Sequence, residues 1–288
     1  MQIDELAINQ LGSAKSFLDV CQDWLLENGV SNYSLVAAVQ AIAAGKPGFG
    51  GTHWFGTVSY ADRVLGCAAY EQLDGLMTSD LPEGAHRLIA DAIIADGFEV
   101  KKIYGPEHDS VTLARAFCRH DSRDWSITHR WDCYAAQVVK PPAAMVNGQL
   151  RRTNSGERET IEHWAEQYAE EKPAPIPVKD FLLRKMQDGD LYVWDDSGLK
   201  TMLAVSGRTP ICAKISAAFT PIEFRGRGYA SSAVAMLASQ LLDRGHRYAT
   251  LMIETDEQHL HRMYTRIGFE KQDSRQNIIL TESIDADS

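Results

Sequence analysis

Two arginines and two glycines alternate at residues 225–228, inside the stretch Thr220-Pro221-Ile222-Glu223-Phe224-Arg225-Gly226-Arg227-Gly228-Tyr229-Ala230. An apolar, strand-like run from Ile211 to Phe219 precedes it, and a long amphipathic run from Ser231 to Leu242 follows. Glycine lets a backbone turn tightly, so several N–H groups can point into one small space. A helix that begins there adds its own unbonded N–H groups and the positive end of its dipole. Together these suit a doubly charged pyrophosphate. The flanking arginines can add charge-assisted hydrogen bonds. The chemistry implied is phosphate binding at a strand-to-helix turn; the plain alternative is a glycine turn that binds nothing.

Three phosphate-binding patterns compete for this turn. A P-loop ends in Lys-Ser or Lys-Thr after its last glycine, and no Gly-Lys-Ser/Thr occurs in the chain. A dinucleotide fingerprint needs Gly-x-Gly-x-x-Gly; here the turn reads Gly226-x-Gly228-x-Ala230 and then Ser231. Glu254, at the end of the next strand-like run, could imitate the ribose-binding acid, so a nucleotide-dependent oxidoreductase stays open. The third pattern is an acyl-coenzyme A loop. Arg225-x-x-Gly228-x-Ala230 resembles the Arg/Gln-x-x-Gly-x-Gly/Ala signature of the GNAT acetyltransferase superfamily.

The downstream residues extend the resemblance. Gly245 reads as a helix C-cap, and Tyr248 to Glu254 as a strand. A second helix, Glu257 to Ile267, is closed by Gly268 and Phe269. Tyr264-Thr265-Arg266-Ile267-Gly268-Phe269 is similar to the family pattern at Tyr, Gly and Phe, whereas the family's Asn near the helix start is replaced by Glu257. Upstream, Leu191 to Asp196 and Leu199 to Ser206 read as a hairpin, and Ile211 to Phe219 as the strand that splays to admit the cofactor. The resemblance spans about Arg151 to the C-terminus.

The resemblance implies a function and a set of roles. An amine would attack the thioester of acetyl-coenzyme A directly. Ala217, Ala218 and Phe219 would align the acetyl group and pantetheine. Arg225, Gly226, Arg227, Gly228, Tyr229, Ala230 and Ser231 would hold the pyrophosphate, and Glu257 would stand at the pantetheine contact. Tyr264 would protonate the departing thiolate. A phenol of ordinary pKa about 10 is protonated at neutral pH and can donate to a thiolate of pKa about 8.5; the alternative is a packed helix-face tyrosine. Glu254 is the first choice of general base because it ends a strand beside the loop. Glu223, Asp256, Glu257, His259 and His261 stand near enough in sequence to compete with it, as does a water chain. A non-catalytic acyl-coenzyme A-binding module is the second functional reading.

The elements needed to carry this site recur. In the first half, Trp54 to Tyr60 and Arg63 to Tyr70 read as a hairpin around Ala61-Asp62, and Leu73 to Thr78 as a strand. Helix Glu83 to Asp96, strand Lys102 to Tyr104, helix Asp109 to His120 and strand Ile127 to Val138 follow. The second half shows the same order, with helices expected at Ser155 to Glu171 and Val178 to Gln187. Asn154 or Ser155 could cap the former, and Ser155 with Arg158 forms no capping box. Lys140-Pro141-Pro142 through Gly148 reads as a linker, Lys172 through Pro177 as a loop between helices, and Gly48-Phe49-Gly50-Gly51 as a flexible loop. The order of elements and the resemblance together imply an α/β fold of mixed α+β character. It would comprise two GNAT-like domains, each a mixed, mostly antiparallel sheet flanked by helices. Residues 1–145 would be a degenerate copy, and 149–288 the acetyltransferase domain. Where the first copy's cofactor loop should lie stand Asp80 and Glu83, which would repel a pyrophosphate.

Composition narrows the partners. The 288 residues carry a formal net charge of −10. That disfavours general binding to nucleic acid, which needs a basic face; it is compatible with a cationic small-molecule or peptide amine acceptor, and the plainer reading is that it aids solubility. No run of about 18 apolar residues occurs, so no membrane span is expected. The N-terminus carries Asp4 and Glu5 and does not read as a signal peptide. Five scattered cysteines without a Cys-x-x-Cys argue for reduced thiols in a cytoplasmic setting and against zinc; a monomer or homodimer is expected. His259 and His261 fall on different helix faces, so no metal site is expected.

Overall fold

Ala61 and Asp62 both adopt the left-handed backbone, with φ of 45° and 63°. Two successive residues of that kind make the tight turn whose twist matches paired strands. They join strand β2 (His53–Tyr60) to β3 (Arg63–Glu71), antiparallel from Tyr60 opposite Arg63 to His53 opposite Glu71. In the computed structural model, residues 5–46, 51–73, 75–142, 146–172 and 177–282 are described. The centres of the expected linker (143–145) and proline loop (173–176), and the glycines 48 and 50, lie outside the described residues.

The chain divides into two compact units, Met1–Cys133 with Gln272–Ser288, and Tyr134–Lys271. The first half of the chain runs β1 (Ala7–Leu11), α1 (Ala14–Glu27), α2 (Tyr33–Ala43), β2, β3, β4 (Gly75–Thr78), α3 (Ala85–Ala95), β5 (Lys102–Pro106), α4 (Glu107–Asp121) and β6 (Asp124–Ala136). The second half repeats that order. It runs β7 (Gln149–Arg152), α5 (Arg158–Glu171), α6 (Val178–Gln187), β8 (Leu191–Asp195), β9 (Leu199–Arg208), β10 (Cys212–Phe219), α7 (Tyr229–Asp243), β11 (Tyr248–Glu254), α8 (Gln258–Arg266) and β12 (Glu270–Thr281). The element order is thus that of an internal repeat, and each copy is a mixed α/β layer.

Sheet pairing repeats as well. β1 to β4 pair antiparallel in succession, and β5 joins β4 in parallel. β7 to β10 pair antiparallel, and β11 joins β10 in parallel. The crossover to each parallel strand is a helix, as parallel pairing requires. The last strands are exchanged: β12 pairs antiparallel with β5, from Arg275 opposite Pro106 to Ile279 opposite Lys102. β12 from Gln272 thereby belongs to the first unit, while the end of β6, from Tyr134, belongs to the second.

Both faces of the second unit's sheet are covered, which is why its strands read as continuous apolar runs. Leu203, Val205, Ala213 and Ile215 pack with Val234, Leu237 and Leu241 of α7 on one face. Val193, Met202, Ala204 and Phe219 pack with Ile161, Trp164 and Leu182 of α5 and α6 on the other. Buried Trp194 donates Nε1–H to the Asn147 carbonyl at 2.8 Å.

The observed boundaries match most expected elements. α1, α2, β1, β7 and β12 lie outside the expectations. α1 carries a stripe of buried Phe17, Cys21 and Leu25 behind a capping box of Ser13 and Ser16. A capping box also precedes α5, one residue earlier than the pair weighed in the sequence. Asn154 accepts from the Gly156 N–H, and Glu157 accepts from the Asn154 N–H. It closes a 3₁₀ turn, Ser155–Glu157, that leads into the helix.

Candidate active site at the diverging strands

β10 and β11 pair in parallel only at Cys212–Tyr248, Ala213–Ala249 and Lys214–Thr250. Beyond that they part. A register shift between Ser216 and Phe219 against β9, with Ala217 at φ 50°, bulges β10 at the opening. A β-bulge re-aims the backbone, and a left-handed alanine costs about 1 kcal/mol, so surrounding bonds must hold it. Thr201 Oγ1 donates to the Phe219 carbonyl at 2.6 Å, and Thr220 Oγ1 donates to Thr201 Oγ1 at 2.8 Å.

The chain then passes a 3₁₀ turn, Ile222–Phe224, and reaches Gly226 at φ 74° and Gly228 at φ 89°. These two positions require glycine's freedom. Gly228 is the N-cap of α7, and no side chain caps that helix. Its first-turn N–H groups therefore face outward without a side-chain cap among the described residues. A Cβ on Gly226 would meet nothing within 4 Å, so the turn opens on free space. Such a terminus binds anions through its N–H groups and dipole.

A cavity of about 690 Å³ runs from this turn along the gap between α7, α8 and the end of α5. Ala218, Phe219, Arg225, Gly226, Gly228, Tyr229, Ala230, Ser231, Glu257 and Tyr264 all line it, so the structure brings most of the sequence candidates together. Ala217, Arg227 and Glu254 are not among its lining residues. The Tyr229 side chain turns away to donate to Asp196 at 2.8 Å, leaving its backbone to the site.

Polar side chains on the walls are already engaged. Arg225 donates to both Glu171 oxygens at 2.6 and 2.7 Å and to the Thr220 carbonyl at 2.7 Å. Its guanidinium also lies 5.7 Å from the Phe219 ring centroid. Glu257, preceding α8, pairs with Lys172 at 2.9 Å and with His259 at 3.3 Å. The hydrogen bond from Lys172 holds its carboxyl below the ordinary glutamate value. The end of α5, at Glu171 and Lys172, is thus tied to both banks of the cavity.

Tyr264 is 7% exposed, and its hydroxyl makes no hydrogen bond among the described residues. Burial, with a smaller contribution from Tyr168, pushes its phenol well above the ordinary tyrosine value. It therefore remains a proton donor through the neutral and mildly alkaline range. Tyr264 packs edge-on against Phe269 at 6.0 Å. Gly268 is required beside it, because a Cβ there would meet the Val138 carbonyl at 2.6 Å. His261 donates Nε2–H to the Glu254 carbonyl at 3.1 Å, so its Nδ1 accepts from the Tyr134 hydroxyl at 2.9 Å. That imidazole ties α8 to the sheet. Among the cavity-lining groups that were not singled out in the sequence are Tyr168, Glu171 and Lys172. No group of three or more His, Cys, Asp and Glu that could hold a metal occurs among the described residues.

The first unit contains the corresponding turn, altered. β4 and β5 pair in parallel only at Leu76–Ile103 and Met77–Tyr104, and Gly84 caps α3 at φ 88°. Here a side chain of the protein occupies the loop. Asp109, buried in the first turn of α4, accepts from the Leu81 N–H at 3.2 Å and bonds His86 Nε2 at 2.7 Å. The carboxylate closes the loop against the helix behind it.

Comparison with known proteins follows this geometry. Residues 195–278 match the family model described as FR47-like protein. No curated protein matches the chain by sequence. Among solved structures, a GCN5-related N-acetyltransferase from Sphaerobacter thermophilus superposes with a TM-score of 0.58 at 14% identity, covering 97% of this chain and 96% of that one. An acetyltransferase of the GNAT family from Colwellia psychrerythraea gives 0.54 at 11% identity over 96% of this chain and all (100%) of its own. A tandem GNAT protein from the clavulanic acid biosynthesis pathway gives 0.52 at 14% identity, covering 96% and 98%. With a diverging strand pair, a glycine-capped helix and these superpositions, the chain has the GNAT fold along nearly its whole length, and its residues 195–278 match the FR47-like model.

Proposed function

We propose that the protein is an acyl-coenzyme A-dependent N-acyltransferase, moving acetyl from acetyl-coenzyme A to a primary amine. One observation carries this reading. An uncapped helix N-terminus opens on a cavity whose walls include a buried, unbonded phenol on α8. In this reading the first-turn N–H groups of α7, from Tyr229 to Ser231, hold the pyrophosphate. The Ala217–Phe219 bulge aligns the thioester. The neutral amine nitrogen bonds to the carbonyl carbon, the carbon–sulfur bond breaks, and Tyr264 gives its proton to the sulfur. The amine proton leaves through intervening water to Glu254, at the end of β11. That lost proton balances the one Tyr264 regains from solvent.

Steady release of free thiol from acetyl-coenzyme A, dependent on one member of an amine panel, is the expected result. Coenzyme A binding without any thiol release would favour a binding module instead. The filled loop of the first unit leads to a second expectation. Calorimetric titration with coenzyme A should give one site per chain, because Asp109 already occupies the first loop. Two equivalent sites would overturn that reading of the first unit.

A further inference from the structure

Tyr168 lies in the last turn of α5 and lines the same cavity as Tyr264. Its hydroxyl makes no hydrogen bond among the described residues, although most of the ring is packed against the apolar layer. A half-buried hydroxyl without a protein partner is costly unless water or a ligand completes it. The ring stands edge-on to Phe219, at 6.0 Å and 90°, beside the residue that ends the β10 bulge. Tyr264, in contrast, is braced by Phe269 on the α8 side. The two phenols therefore line one cavity, one beside the bulged strand and one on α8.

The end of α5 is fixed in place. Glu171 holds Arg225 on one bank, Lys172 holds Glu257 on the other, and the Lys172 N–H bonds the Tyr168 carbonyl at 2.9 Å. A donor held this way needs no reorganisation when charge develops in front of it. A thioester develops negative charge at two atoms, the carbonyl oxygen and the sulfur, and two unbonded phenols are available.

Resting on the acyl-transfer reading above, we propose that Tyr168 is a second catalytic residue, whose hydroxyl donates a hydrogen bond to the thioester carbonyl oxygen while Tyr264 serves the sulfur. Burial raises the Tyr168 phenol above its ordinary value, so it remains protonated and able to donate.

The test is binding first and turnover second. Titrate wild type and Tyr168→Phe with free coenzyme A, which has no carbonyl, and with S-acetonyl-coenzyme A, a stable ketone. The expected result is a Kd for the ketone raised about fivefold in the variant, the weight of one neutral hydrogen bond. The Kd for free coenzyme A should stay within about twofold, the thermal midpoint should hold, and kcat should fall about 10²-fold, as for loss of one oxyanion donor. An equal loss of affinity for both ligands would make Tyr168 a packing residue and overturn the assignment. So would wild-type ketone affinity and turnover. If wild type binds neither ligand, the acyl-transfer reading itself falls, and this assignment with it.

Discussion

Tyr264→Phe should lower kcat by about 10²–10⁴-fold, the usual worth of general-acid assistance, while coenzyme A affinity stays nearly unchanged. The substitution deletes one hydroxyl and keeps the ring that packs on Phe269. Because that hydroxyl has no hydrogen-bond partner among the described residues, its removal should leave the thermal midpoint in place. A structural hydroxyl would behave oppositely, costing roughly 1 kcal/mol of stability with turnover retained. The raised phenol also fixes the pH response. Tyr264 loses its proton only at pH values above the ordinary tyrosine range, so its ionisation should not limit the rate below about pH 10. Measuring kcat across pH together with the melting midpoint separates these outcomes. Wild-type turnover in the variant would remove the donor role from Tyr264.

Gly228→Asp should weaken coenzyme A binding by about 10³-fold and leave the fold intact. A carboxylate at the α7 N-cap would stand where the pyrophosphate is proposed to sit. Two unit charges about 4 Å apart near a protein surface repel by roughly 4 kcal/mol, and about 1.4 kcal/mol is tenfold in affinity. The fold has less reason to suffer. Aspartate is among the few non-glycine residues that visit the left-handed backbone, so the strain at Gly228 should cost on the order of 1–2 kcal/mol, a loss the melt would read without unfolding the protein. Calorimetry with coenzyme A, beside a circular dichroism melt, reads both effects. A folded variant with wild-type affinity would place the cofactor elsewhere and remove the central argument for the site.

Much of the second half was legible because its signals are local. The α6 boundaries follow from the Pro177 entry and an apolar stripe with Val178 and Leu182 buried. α7 follows from Gly228 and a long apolar periodicity. β12 was not legible, since its first residues, Glu270-Lys271-Gln272, are charged or polar and exposed, and the period-2 signal is lost there. Tyr168 was hidden for a different reason. Ile161, Trp164, Ala165 and Tyr168 read as one core-facing helical stripe, and the first three are core. What turns the fourth into a site residue is the Arg225–Glu171 bond, between residues 54 positions apart, which no window along the sequence reveals. The Asp109 carboxylate in the first unit's loop is equally non-local, reaching Leu81 and His86 from another helix. Most of the sequence candidates converged on one cavity because they sit on a single strand-turn-helix segment. Glu254 ends the neighbouring strand and does not line that cavity.

The exchanged strand sets an order of events during synthesis. Residues Tyr134–Lys271 form a unit from continuous chain and can close as soon as they are made. The first unit cannot, because the partner of β5 lies at Arg275–Ile279. At roughly 5–20 residues per second, the edge of Ile103 and Tyr104 waits on the order of ten to thirty seconds for that partner to emerge. An open strand edge is a template for association with other nascent chains. When β12 arrives it carries Arg275, which becomes 1% exposed and donates to the Thr78 carbonyl. Residues 275–279 therefore close strands made long before them, and yield on expression should depend more on those few residues than on any comparable stretch of the second unit.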